Sequence, residues 1–203
     1  MACRVSSGRT VIIAGAGCAA GSVLAHGFAE AGARVVVIDR EETAVLPLAA
    51  SAPDRIDALC LDILRPEMCR QFASIWDTEP LAALIQLQIL RHGDRPAMAI
   101  RSVAEMARAL QPGLAATGGQ ILYLCDSEAE DATTQSFRGA FERLAPVLQR
   151  QAAAGVAVTG LALPRGGLGA VGEAAFVQLV MALEDLPGAR IGGALLPVLP
   201  RSD

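Results

Sequence analysis

The chain contains no lysine and no asparagine; its 17 basic side chains are all arginines, from Arg4 to Arg201. There is one tyrosine, Tyr123, one tryptophan, Trp76, and two histidines, His26 and His92. These absences exclude a Schiff-base lysine, a phosphate-loop lysine and any role that requires an asparagine amide, and two histidines leave little for a His-rich metal centre. The five cysteines, Cys3, Cys18, Cys60, Cys69 and Cys125, are an odd set without C-x-x-C spacing, which reads as buried free thiols in a reducing compartment. No apolar run reaches the roughly 18 residues of a membrane span, and the first residues lack the pattern of a signal peptide. A cytoplasmic protein is expected. The net charge of −4, with no basic face interleaved with aromatics, argues against nucleic acid as a partner.

What the chain does have is length enough, at 203 residues, for one domain with a full core, and 53% hydrophobic residues to fill it. Residues 10–14, TVIIA, read as a buried strand, followed by the glycine-rich run GAGCAAG from Gly15 to Gly21 and a helix ending at Gly32. A second strand, Val35 to Ile38, closes on Asp39, 24 positions after Gly15. Strand, glycine turn, helix, strand and acid follow one another at close to the spacing that a dinucleotide-binding unit uses. The alternation continues with a strand at Ile56–Leu61 leading to Asp62, a helix at Pro66–Trp76, a strand at Leu81–Leu90 and a helix at Pro96–Leu110. Then come a strand at Ile121–Cys125, a helix at Gln135–Ala153, a strand at Val156–Leu163, a helix at Gly172–Glu184 and a last strand within Arg190–Leu199. Such alternation predicts a single α/β domain over 1–203, a doubly wound parallel sheet with helices on both faces.

The order of these landmarks resembles the short-chain dehydrogenase/reductase family over nearly the whole chain: the Gly15–Gly21 turn, Asp39, LDIL with Asp62, GGQILYL, AGVAVTGLALP and the terminal ARIGGALLPV. The resemblance implies a Rossmann-like fold and an NAD-type nucleotide held by Gly15, Gly17, Gly21, Asp39 and Asp62. Asp39 would take the ribose hydroxyls and reject a 2′-phosphate, and Asp62 matches the adenine contact. The glycine turn aligns in two ways, as G-x-G-x-x-G/A through Gly15, Gly17 and Ala20, or as the family's T-G-x-x-x-G-x-G with Ala14 and Ala19 replacing Thr and the middle Gly. A methyl at Ala19 would stand where the backbone meets a pyrophosphate and would weaken affinity.

The catalytic positions depart from the family. Its tyrosine and lysine, four apart on one helix so that the cation acidifies the phenol, match Thr134 and Arg138 here, and threonine cannot be held partly ionised near neutral pH. Tyr123 lies upstream within a strand and has Ser127, not a cation, four positions later. The family's serine falls near Asp126 or Ser127, its asparagine-rich turn after the fourth strand reads LIQLQIL, and its helical asparagine is impossible. After Pro164 the segment that normally covers the substrate is largely missing, so water would not be excluded. The acidic run Asp126, Glu128, Glu130 and Asp131 lacks a metal-loop glycine and reads as solvated, and His26 and His92 have no partner pattern.

The resemblance also bears on assembly, because family dimers pack two long helices per subunit into a four-helix bundle, and the matching helices here, near 96–110 and 135–153, keep their length. Phe137, Phe141, Leu144 and Leu148 form an apolar stripe on the second, read first as core. The expected function is thus a non-catalytic subunit that binds an active NAD-dependent short-chain dehydrogenase through these helices and the C-terminal tail. It is similar to the degenerate subunit of heteromeric enzymes such as the hydroxyacyl-CoA dehydrogenase of anaerobic toluene and benzylsuccinate degradation. The alternatives are an NAD-binding regulator, and an atypical stand-alone oxidoreductase using Ser127 and Arg138.

Overall fold

The computed structural model describes residues 8–76, 79–126, 132–164, 167–184 and 192–200, with the side chains of 132–164 described from Ser136 onward. Seven strands carry the fold: β1 (Thr10–Ala14), β2 (Arg34–Asp39), β3 (Ile56–Cys60), β4 (Ala83–Gln86), β5 (Gln120–Asp126), β6 (Ala157–Leu163) and β7 (Ala194–Pro197). They form one sheet in the order β3-β2-β1-β4-β5-β6-β7, and every neighbouring pair is parallel. Parallel neighbours need crossovers, which the helices supply on both faces.

On one face lie α1 (Ala19–Glu30), α2 (Glu42–Ser51) and α9 (Glu173–Glu184), packed by Leu24, Phe28, Val45, Phe176 and Val180 against Val11, Ile13, Val35 and Leu122. On the other lie α3 (Pro66–Trp76), α5 (Pro96–Ala109) and α7 (Ala132–Gln151), packed by Phe72, Val103, Met106, Phe141 and Leu148 against Ile12, Val36, Leu84 and Ile121. Alternate residues of one strand thus enter different cores, as the period-two pleat requires. The Phe141, Leu144 and Leu148 stripe is buried in this second core, with Phe137 half-buried beside it. Short helices α4 (Gln88–Arg91), α6 (Gln111–Thr117) and α8 (Gly167–Val171) fill the connections.

Several sequence boundaries move. The strand expected over Leu81–Leu90 is only β4, because the Leu87 amide bonds the Ala14 carbonyl at 2.8 Å and the chain then turns into α4. An apolar run such as LIQLQIL cannot be divided between strand and buried helix by periodicity. Helix α2, with Pro47 inside it, occupies a stretch to which the sequence assigned no element. Helix α7 begins three residues before the expected start, and the last strand is confined to Ala194–Pro197.

Tyr123 ties the sheet to α7. It is fully buried, and its hydroxyl donates to the Phe141 carbonyl at 2.8 Å while accepting from the Ala145 amide at 3.1 Å. These two groups are the i and i+4 partners of one helical turn, and Pro146, next in the chain, has no amide to offer. The phenol is a structural clasp. Its burial raises the pKa well above the ordinary tyrosine value.

The thiols divide by burial. Cys69 and Cys125 are buried, and desolvation pushes them up to about 11 and about 12, whereas Cys60 is exposed, contrary to the buried thiols expected, and Cys18 is half-buried. Of the four thiols among the described residues, Cys60 is expected to be alkylated first near pH 8, and Cys69 and Cys125 only on unfolding. Rapid modification of Cys125, located by mass spectrometry, would contradict the placement of β5 in the core. Among the described residues no helix is long and apolar enough to cross a membrane.

Candidate functional site

The strand order reverses between β1 and β4, so the crevice outside their carboxyl ends is where a parallel α/β sheet receives a ligand. The glycine turn sits there. Gly15 adopts φ +79°, and a Cβ at that position would lie 3.0 Å from the Gln88 amide and 3.1 Å from the Leu87 carbonyl carbon, so only glycine allows the turn to close on the end of β4. The Gly15 and Ala16 amides both donate to the Ile38 carbonyl, at 2.8 and 3.0 Å, which fastens the turn to β2. Gly21, in the first turn of α1, has the Ala16 carbonyl where a Cβ would go.

Asp39 is at the expected place, the end of β2, but it faces inward. Its carboxylate is 1% exposed and accepts three hydrogen bonds, from the Gly17 amide at 2.9 Å, the Glu41 amide at 3.1 Å and Arg91 Nε at 3.3 Å. Arg91, the last residue of α4, also pairs through Nη2 with Glu41 at 2.7 Å. Burial alone would lower the pKa of this guanidinium; the Asp39 and Glu41 carboxylates outweigh it and raise the pKa. The arginine reaches over the turn so closely that a Cβ on Gly17 would stand 2.6 Å from Asp39 Oδ2 and 3.0 Å from Arg91 Nε. The space beside the acid is therefore filled by the chain's own side chains. His92, buried next to Arg91, has its pKa lowered, first by burial, so its imidazole is neutral near pH 7.

Asp62 is partly exposed and used locally: Oδ1 accepts from the Leu64 amide at 3.3 Å and Oδ2 pairs with Arg65 at 3.5 Å, shaping the turn into α3. NAD fits this arrangement poorly at its adenosine end. The carboxylate that would hold the ribose already accepts three protein donors, although the glycine turn and the start of α1 keep their form.

Thr134, at the position matched to the family's tyrosine, falls in the first turn of α7 and its side chain lies outside the described residues, as do Ser127, Glu128, Glu130 and Asp131. Asp126 is the exposed last residue of β5. Arg138 is exposed and pairs with Glu142 one turn on, at 3.3 Å, so it lies on the solvent face of α7. Strand β6 is followed within four residues by α8, which leaves little chain to cover a substrate. No group of three or more metal-binding side chains is found among the described residues. His26 is a linker of helices: Nδ1 is 2.9 Å from the Ser22 carbonyl and Nε2 2.9 Å from Ser51 Oγ, joining α1 to α2.

Two features of this crevice escaped the sequence reading. One is Arg91, whose only local signal was a lone charge closing the apolar run LIQLQIL. The other is a buried polar cluster at the end of β4, where Gln88 Nε2 donates to Gln86 Oε1 at 3.2 Å and contacts Ser102 Oγ at 3.4 Å, while Ser102 donates to the Ile63 carbonyl at 2.6 Å. The two glutamines, spaced by one leucine, were visible as the polar pair inside that run.

No family model matches the chain and no curated protein does. Solved structures do. A 3-ketoacyl-(acyl-carrier-protein) reductase from Brucella melitensis complexed with NADH has a TM-score of 0.77 at 19% identity, with 95% of this chain and 97% of that one covered. The Pseudomonas aeruginosa RhlG/NADP active-site complex has a TM-score of 0.80 at 16% identity, with 98% of each chain covered. A short-chain dehydrogenase from Streptomyces avermitilis has a TM-score of 0.75 at 17% identity, with 94% of this chain and 88% of that one covered. The chain has the fold of these proteins. Its single seven-stranded parallel sheet is the architecture the sequence predicted.

Proposed function

We propose that this chain is a degenerate short-chain dehydrogenase, a non-catalytic subunit that assembles with an active NAD-dependent dehydrogenase of the same fold and supports it. The observation that carries this reading is the fate of the groups that could have moved a proton. Tyr123 spends its hydroxyl on the backbone of α7, and Arg138 pairs with Glu142 on the surface. A general acid must be within hydrogen-bond reach of the substrate oxygen, and neither group faces the crevice. The engagement of Asp39 by Arg91 points the same way, since it leaves weak NAD affinity or none in this chain. In this reading the NAD belongs to the partner's site, together with the hydroxyacyl-CoA chemistry suggested by the resemblance to the benzylsuccinate-pathway enzyme. The surface offered to the partner is the outer side of α5 and α7.

The test is co-expression with the intact short-chain dehydrogenase encoded nearest this chain, purified through a tag on this chain. A stoichiometric complex is expected, with NAD-dependent activity that survives Thr134→Ala and Arg138→Ala here and is lost when the partner's own tyrosine is replaced. Turnover by the chain alone, abolished by Arg138→Ala, would replace this reading with a stand-alone oxidoreductase. A second reading, an NAD-responsive regulator, draws on the preserved turn at Gly15 and is separated by the nucleotide titration argued in the Discussion.

A further inference from the structure

Helices α5 and α7 lie side by side on one face of the sheet, with a groove of about 190 Å³ between them lined by Ala104, Ala107, Arg108, Gln111, Leu148 and Gln151. The inner side of α5 is Ala99, Val103 and Met106, so at about 100° per residue its outer side carries Ala97, Arg101 and Arg108, with Ala104 half-buried at its edge. On α7, with Phe141, Leu144 and Leu148 inward, Arg143 and Arg150 lie opposite the buried stripe, and Ala140 and Val147 are exposed on its flank. The combined face has small residues over which another helix can come close, and Val147 and Met98, 37% and 45% exposed, give it apolar surface.

Among the described residues, its uncompensated charge is positive. Arg108 is compensated by Glu105 at 2.8 Å, and that glutamate is also 3.9 Å from Arg70. Arg101, Arg143 and Arg150 are exposed and have no ion pair among the described residues; Arg143 only donates to the Gly139 carbonyl one turn back, at 3.1 Å. Three uncompensated arginines on one face stand out in a chain whose net charge is −4. In a twofold dimer the same patch meets itself, so a second copy of this chain would set arginine against arginine. A partner whose matching helices carry aspartates or glutamates would instead receive bidentate carboxylate contacts around the small-residue centre.

We infer that the α5/α7 face selects an acidic helical face on a different chain and rejects a second copy of its own, through Arg101, Arg143 and Arg150. This rests on reading the chain as a subunit of a heteromer, and it adds the chemistry of the partner. The probe is this chain with its charge reversed, the triple variant Arg101→Glu, Arg143→Glu and Arg150→Glu. All three side chains are exposed, so the variant is expected to fold, which its circular dichroism and melting temperature check.

Sedimentation velocity at about 0.1 M salt, where charges interact over about 10 Å, is expected to show the unchanged chain alone as a monomer. An equimolar mixture with the triple variant is expected to give a 1:1 dimer, with an affinity roughly tenfold or more above self-association of either component. The dimer should dissociate near 1 M salt, where the screening length falls to about 3 Å. A mixture that sediments as two monomers would overturn the inference, and so would an unchanged chain that dimerises as well before as after the three arginines become alanines. Neither outcome depends on a dehydrogenase partner. Failure of the co-expression experiment with success here would remove the particular partner and leave the charge selection standing.

Discussion

Replacing Gly160 by alanine is expected to destabilise the chain by about 3 kcal/mol, the upper end of the usual cost of overpacking a core. Gly160 pairs in register with Tyr123 across β5 and β6, and with Leu195 across β6 and β7. A Cβ there would lie 2.5 Å from both Cζ and Oη of Tyr123 and 2.6 Å from Leu195 Cδ1. Leucine at an edge strand can shift its terminal methyls, but the phenol cannot shift without losing its bonds to Phe141 and Ala145. The extra methyl therefore loads α7 as well as the sheet. Removing only the hydroxyl, Tyr123→Phe, should cost about 1–3 kcal/mol, because a buried carbonyl and amide lose a partner. Chemical denaturation midpoints give both values, and the mechanism is read from the pair. Gly160→Ala combined with Tyr123→Leu should be less destabilised than the sum of the two single changes, since the smaller side chain vacates the place the methyl needs. Strict additivity would show that the clash with the ring is not what glycine avoids.

Elements read from the sequence to the residue were those bounded by sharp signals. β1 is an apolar run opened by Thr10 and closed by a glycine turn, and α3 starts at a proline and stops beside an acidic, proline-containing stretch; both were placed with their observed ends. β4 was overrun because nothing in LIQLQIL marks the point where Leu87 leaves the ladder; that point is set by the Ala14 carbonyl, 73 positions away in the chain. Helix α2 was missed because Pro47 and a weakly amphipathic, alanine-rich sequence hide a helix that tertiary packing of Val45 and Leu48 supports. The candidate site shows the same division. Gly15, Gly17, Gly21 and Asp39 are a local pattern that spacing alone makes readable, and the structure places them at the carboxyl ends of β1 and β2 and the start of α1. Asp39 is held by the Gly17 and Glu41 amides and is also covered by Arg91, 52 positions on, through a contact that no spacing rule describes. Arg138 could be counted into the catalytic position, while its turn toward Glu142 needed the helix phase set by Phe141 and Leu144.

Arg91 is the residue whose replacement should change ligand behaviour most. Without its guanidinium, Asp39 keeps the Gly17 and Glu41 amides but loses its only cation among the described residues, and Glu41 loses its shortest ion pair. Removing one partner of a pair in which the carboxylate is 1% exposed and the arginine 20% should cost about 1–3 kcal/mol, less than a fully buried pair because the amide bonds remain and water can enter. At roughly 2–4 °C per kcal/mol for a chain of this size, the melting temperature of Arg91→Ala falls by several degrees. The same change uncovers the carboxylate and the Gly17 edge of the turn. NAD at about a hundredfold its dissociation constant would return about 2.7 kcal/mol to any form that binds it, enough to restore most of the lost melting temperature. The expected pattern is therefore asymmetric: no NAD-dependent rise for the unchanged chain, a rise of several degrees for Arg91→Ala, and none when Asp39→Ala is added. NADP should give a smaller rise than NAD in the variant, since the uncovered carboxylate would face a 2′-phosphate. Should the unchanged chain already be stabilised by NAD, with the effect lost in Asp39→Ala, Arg91 would be a side chain that moves aside for the nucleotide, and the regulator reading would displace the subunit without a cofactor of its own.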